Sequence, residues 1–241
     1  MIKRDFVARF TGSALGLVWA VLQPLTLVAI YWFVFTFMIP SRMSGSGDRY
    51  IHFLIAGLLP WLGISEGLMR SMTSIVDNGA MVRRLPLRSE LLVIVPNATA
   101  LIFESLAIAI FLIIVTVRQG FPPLVWLLPF ALLLQLALQL GIALFVSATY
   151  VFFRDLGQML GFLLSILFYL SPILYPVAGR FEEFFRWNPL TPLLGLFRSA
   201  VLSDALPEVT SIVFLLAVSA GAFIAGLMFF RRARPVLVDL I

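Results

Sequence analysis

Charged residues are so widely spaced along this chain that they mark out its elements. None occurs between Phe10 and Ser41, and residues 14–40 alone form an apolar run of 27, long enough to cross a bilayer with tilt. Further apolar runs lie at 50–69, interrupted by Glu66, and at 91–117, with Glu104 near its middle. The rest lie at 119–153, 156–179 and 209–230. In the run 119–153, Pro122, Pro123 and Pro129 push the helix start towards the later half. Between the last two runs, residues 187–197 are apolar but too few to span. Flanked by Arg186 and Arg198 and broken by Pro189 and Pro192, they read as a re-entrant or interfacial element. The expected fold class is all-α integral membrane, with six transmembrane helices in a single transmembrane domain, 1–241.

Composition strengthens this reading. Of 241 residues, 61% are apolar and 12% charged, where soluble domains carry roughly half and a quarter. Mean hydropathy is +1.06, and a soluble domain of this kind would expose aggregating apolar patches. The net charge is +5, but the basic residues sit between apolar runs, where they set topology and touch anionic headgroups rather than nucleic acid. Six crossings put both termini on one side. With those termini cytoplasmic, the inner segments hold Lys3, Arg4, Arg9, Arg70, Arg83, Arg84, Arg88, Arg154, Arg231, Arg232 and Arg234. The outer segments hold Arg42, Arg49, Arg118, Arg180, Arg186 and Arg198. Eleven against six favours cytoplasmic termini. The basic start and first apolar run resemble a secretory signal, but the run is too long and lacks a small-residue cleavage pattern, so an uncleaved first span is expected.

Several chemistries are excluded. No cysteine is present, which removes disulfides, thiolate metal sites and cysteine nucleophiles. His52 stands alone, and Lys3 is the sole lysine, so no phosphate-binding loop ending in Lys-Ser/Thr exists in this sequence. If ATP is consumed, another chain binds it. There is no Asp-rich diphosphate-binding run and no His-Glu-x-x-His, and Glu182-Glu183 reads as solvated charge.

The remaining candidates each carry two readings. Glu104 is either a polar anchor between helices or a proton relay; with only Glu66 and His52 as intramembrane titratable company, the anchor is favoured. Trp19, Tyr31, Trp32 and Phe35 in the first span, and Tyr169 and Tyr175 in the fifth, are interface belts or the wall of a sugar conduit, in which rings stack on C–H faces. Gly12/Gly16, Gly157/Gly161 and Ala217/Gly221/Ala225 give small-residue faces for helix packing. The connection 70–90, with Arg83, Arg84, Arg88 and Glu90, is either a topology-setting loop or a docking helix for a soluble partner.

Four stretches together resemble polysaccharide-exporting ABC permeases, the O-antigen, capsule and teichoic-acid group. The first runs from Arg4-Asp5-Phe6 through Gly12-Ser13-Ala14-Leu15-Gly16 to Gln23-Pro24-Leu25. The second is Ala56-Gly57-Leu58-Leu59-Pro60-Trp61, and the third is Phe153-Arg154-Asp155-Leu156-Gly157-Gln158. The fourth is Ser171-Pro172-Ile173-Leu174-Tyr175-Pro176 followed by Trp187-Asn188-Pro189-Leu190-Thr191-Pro192. The resemblance is closest to O-antigen permeases. It implies a homodimeric channel in the bacterial inner membrane, with two ATP-binding cassette subunits beneath it that hold ATP and Mg. The substrate implied is a glycan on a polyprenyl diphosphate, exported without any catalytic residue or metal in this chain. It also implies a cytoplasmic interfacial helix over 1–13 and a coupling loop over 70–90, where Arg83, Arg84, Leu85 and Arg88 meet the ATPase, supported by Arg154 and Asp155. A re-entrant periplasmic gate between helices 5 and 6, over 180–198, carries Trp187, Asn188 and Pro189. Lys3, Arg4 and Arg9 would attract the lipid diphosphate as it comes in. The alternatives are an ABC exporter of a small molecule such as a drug or antibiotic, an ion-coupled secondary transporter dependent on Glu104, and a glycan-modifying membrane enzyme.

Overall fold

The computed structural model describes residues 18–34, 47–79, 89–177, 179 and 182–240. Among these the chain is helical and no strand occurs. In chain order the elements are α1 (Val18–Phe33), α2 (Gly47–Asp77), α3 (Glu90–Gln119), a 3-10 turn (Val125–Leu127) and α4 (Leu128–Phe152). They continue with α5 (Leu156–Tyr169), α6 (Glu182–Arg186), α7 (Leu190–Leu202) and α8 (Val209–Leu240).

Four segments among the described residues are long and apolar enough to cross a membrane: 49–77, 90–119, 125–152 and 209–237. Three boundaries differ from the sequence expectation. Pro122 and Pro123 precede the 3-10 turn, and Pro129 falls in the first turn of α4, where its missing N–H would have had no helical partner. The helix therefore starts early in the run 119–153 rather than in its later half. α2 continues past Met69 to Asp77, so the first residues of the expected connection 70–90 are helical. α5 stops at Tyr169 rather than reaching 179. At 14 residues it is about 21 Å long, short of the ~30 Å hydrocarbon core.

Side-chain contacts fix the helix directions. Ser71 lies against Val93 and Asn97, and His52 against Gln119, so α2 and α3 are antiparallel. Glu104 pairs with Gln135, and Gly141 and Phe145 of α4 meet Ala222 and Phe229 of α8. α2, α4 and α8 thus run one way. α3 and α5 run the other, and α1 lies beside α2, its Tyr31 next to Leu58 and Trp61. One end of the bundle carries Arg49, His52 and Asp204; the other carries Asp77, Arg154 and Arg231.

The centre of α2, α3 and α4 is polar. Gln135 Nε2 donates to Glu104 Oε2 at 2.5 Å, Gln139 Nε2 donates to the Gly63 carbonyl at 3.3 Å, and Asn97 Nδ2 donates to Ser71 Oγ and to the Val93 carbonyl. All of these side chains are buried. Gly63 and Gly67 leave the room: a Cβ at Gly63 would collide with the Glu104 carboxylate, and one at Gly67 with the Gln139 amide. These bonds hold three helices in register, while Glu104 Oε1, Gln135 Oε1, Gln139 Oε1 and Asn97 Oδ1 are buried without a hydrogen-bond partner among the described residues. Against this core, α3 and α8 turn apolar side chains outward, among them Ile113, Val117, Val213 and Met228.

Of the small-residue faces, Gly157 packs near Tyr150 and Met72, and Gly12 and Gly16 lie outside the described residues. A Cβ at Gly161 or Gly221 would meet nothing within 4 Å. The close backbone approach is between Gly141 and Ala222, with Gly226 against the Gly141 carbonyl.

Candidate functional site

A groove of about 350 Å³ opens between α1, α2 and α5. α2 contributes Leu58, Trp61, Leu62 and Ser65, a set spaced at helical intervals on one face. α5 contributes Leu164, Ser165, Phe168 and Tyr169, and α1 contributes Tyr31. Trp61 and Phe168 face each other with ring centroids 5.8 Å apart, and Phe168 meets Tyr169 edge-on at 5.3 Å. The wall is therefore aromatic with hydroxyls set into it, a surface that can stack on apolar faces and hydrogen-bond polar edges of the same molecule. One turn along α2, Glu66 pairs with Arg70 at 3.7 Å, both half-buried.

Of the aromatic residues expected to share a conduit, the groove brings Tyr31 and Tyr169 together. Tyr175 reaches it indirectly, its hydroxyl donating to the Tyr169 carbonyl. Trp19 is exposed on α1, about 18 Å along the helix from Tyr31. Trp32 belongs to α1, but its side chain lies outside the described residues, as does Phe35. Trp61 was read only as part of a motif. Its spacing with Leu58, Leu62 and Ser65 was the available signal.

The chain beyond α5 explains why two proline motifs stand so far apart. After Tyr169 the helix is unwound through Tyr175, and its freed carbonyls are taken one by one. The Tyr169 carbonyl accepts from Tyr175. The Leu170 carbonyl accepts from Asn188 Nδ2 at 3.0 Å, and the same amide reaches Ser171 Oγ at 3.1 Å. Pro172 and Ile173 carbonyls accept from the Arg198 guanidinium at 2.6 and 3.4 Å. The Leu174 carbonyl accepts from the Tyr50 hydroxyl at 2.5 Å. Non-helical backbone is tolerated at membrane depth where protein satisfies it, and here α2, α7 and the segment just before α7 do so.

Arg198 is 7% exposed. Its Nε also donates to the Phe53 carbonyl at 3.3 Å, and its guanidinium lies 3.5 Å from the Phe53 ring centroid. Gly57 admits it, since a Cβ there would lie 2.6 Å from the guanidinium. Asn188 Oδ1 accepts from the Leu190 N–H at 2.9 Å, holding the start of α7, at which Pro189 sits. Trp187 is exposed and meets Phe214 edge-on at 6.0 Å.

At the opposite end, Arg154 lies exposed in the turn between α4 and α5, 5.3 Å from the Tyr150 ring centroid, with Asp155 exposed at the start of α5. Gly157 leaves a gap that Tyr150 and Met72 approach at 3.4 and 3.5 Å. The remaining expected sites, Lys3, Arg4 and Arg9 and the set Arg83, Arg84, Leu85 and Arg88, lie outside the described residues.

Long apolar helices around a buried polar centre mark a multi-pass helical membrane protein. The sequence profile of the ABC-2 type transporter matches residues 1–202. The chain belongs to that family. It is 26% identical over 240 residues to "O-antigen export system permease protein RfbA" of Myxococcus xanthus, covering 97% of this chain and 91% of the relative. It is 25% identical over 242 residues to a Klebsiella pneumoniae protein of the same name, covering 96% and 90%. It is 25% identical over 238 residues to "Polysialic acid transport protein KpsM" of Escherichia coli, covering 96% and 91%.

Proposed function

We propose that this chain is the channel-forming permease subunit of an ATP-driven exporter of lipid-linked polysaccharide, of O-antigen type. The observation that carries it on the structural side is the groove lined by Tyr31, Trp61, Ser65 and Tyr169, whose rings and hydroxyls suit pyranose faces and edges. The relatives named for O-antigen export and polysialic acid transport support the same reading.

The alternating directions of α2, α3, α4, α5 and α8, with α1 beside α2, support six crossings. Residues 170–208 begin and end at the Arg49 end, which supports a re-entrant gate between the last two crossings. The excess of basic residues at the Arg154 end supports cytoplasmic termini in a bacterial inner membrane. In this arrangement two copies enclose the path, and two ATP-binding subunits that hold ATP and Mg dock below, at 80–88 and at Arg154-Asp155. Lys3, Arg4 and Arg9 attract the diphosphate of the carrier lipid, and the permease itself catalyses no reaction. α2 joins the parts: its far end leads to the docking segment and its middle forms the groove.

Deletion of the gene tests the reading through the location of lipid-linked glycan. Accumulation on the cytoplasmic side, with loss from the surface, is expected. Normal surface glycan with no internal build-up, in a strain lacking any second exporter, would contradict it and favour export of a small molecule.

A further inference from the structure

The turn 169–174 is held by donors from parts of the chain that are distant in sequence: Tyr50 on α2, Asn188 before α7, and Arg198 on α7. The turn is also the end of the groove wall, since Phe168 and Tyr169 line the groove. α5 presents much of its remaining surface outward, including Met159, Phe162, Leu163 and Ile166, so its position relative to α2 depends heavily on what grips its end. The three donors all act on backbone carbonyls of the unwound turn that follows α5.

Resting on the reading of the groove as a glycan path, we propose that Tyr50, Asn188 and Arg198 form a latch of positioning residues that holds the turn 169–174 against α2 and α7, and that hydroxyls of the passing glycan release it by hydrogen-bond exchange. A bare break of the Arg198 bonds leaves carbonyls and a guanidinium unpaired where they are buried, which is costly. A sugar hydroxyl both donates and accepts, so it can replace the latch bonds one for one as it arrives at Tyr169. Opening is then cheap with glycan present and expensive without it. The Phe168–Tyr169 wall moves away from Trp61 only under a glycan load.

The absence of cysteine makes a single reporter clean. Ile173 is fully buried under the latch, so Ile173→Cys is placed in the full chain, in native membranes with both faces open to a charged maleimide. Slow labelling is expected with the latch intact. Tyr50→Phe, which removes one hydroxyl, speeds labelling about tenfold, the equivalent of one net hydrogen bond; Arg198→Met, which removes three bonds, speeds it further, and Arg198→Lys restores part of the protection. With the latch intact, labelling is faster in cells that make the lipid-linked glycan than in cells that make none. Equal rates across the variants overturn the latch, and Tyr50→Phe decides the matter if Arg198→Met does not fold. Fast labelling of the variants with no dependence on glycan overturns release by the substrate. Failure of the export reading is scored separately, from surface glycan in the same strains.

Discussion

Glu104 interrupts an apolar run, and that placement was plain in the sequence because a carboxyl at mid-membrane is costly. What it touches was not plain. Gln135 and Gln139 do not stand out within an apolar run, and the residues that make space for them, Gly63 and Gly67, lie on a different helix. The pair Gln135–Glu104 is amide to carboxyl, with no basic side chain among the bonds described for Glu104. Glu104→Gln retains an acceptor of the same shape, so export and folding stay close to those of the unchanged protein, as measured by surface glycan and by monodispersity in detergent after heating. Glu104→Leu leaves the Gln135 amide unpaired and costs about 1–3 kcal/mol, read as an earlier loss of monodispersity. Loss of export in Glu104→Gln with folding intact would instead assign the carboxyl a role in transport. Trp61 teaches the same lesson from the other side. A tryptophan in a membrane helix is ordinarily placed at the interface, and only its register with Leu58 and Ser65 marks it as groove wall.

Helices α4 and α8 meet through backbone, and this decides which glycines tolerate change. At Gly141 a Cβ would run into the Ala222 backbone, which cannot turn aside, and Gly226 sits against the Gly141 carbonyl. Gly141→Ala therefore forces the helices apart and destabilises by roughly 1–3 kcal/mol. Gly161→Ala and Gly221→Ala, which meet open space in the single chain, leave its thermal stability unchanged. Equal effects at Gly141 and Gly221 would contradict this packing. The sequence offered three sets of small residues and no way to choose among them, because spacing reports a face and not what lies opposite. Element ends were misjudged both at the start of α4, where Pro129 sits inside the first turn rather than delaying it, and at the end of α5. There an apolar run continues beyond Tyr169 while the helix stops, its freed carbonyls taken by Asn188, Arg198 and Tyr50. Those partners lie far away in the chain, so no local pattern announces them.

At the scale of the molecule, membrane class was written in the apolar runs, and the polysaccharide reading came from four motifs rather than from periodicity. The structure adds a reason for two of them to coexist. Asn188 of the Trp187-Asn188-Pro189 motif pins the turn formed by the Ser171-Pro172-Ile173 motif, and Gly57 of the Ala56-Gly57-Leu58 motif admits the arginine that completes it. In the proposed reading the groove is the part that meets substrate. Trp61→Ala, which removes its largest ring, lowers surface glycan several-fold while the protein stays in the membrane at normal abundance, whereas Trp61→Phe keeps most of the export.

The most direct test of the central claim is occupancy of the groove during transport. Ser65→Cys places the only cysteine of the chain on the groove wall, and its labelling by a small thiol reagent is followed in cells making the glycan and in cells where glycan synthesis is blocked. Protection during synthesis that disappears when synthesis stops is the predicted result. Equal labelling in both conditions, with export running at its normal rate, would contradict passage along Tyr31, Trp61 and Tyr169.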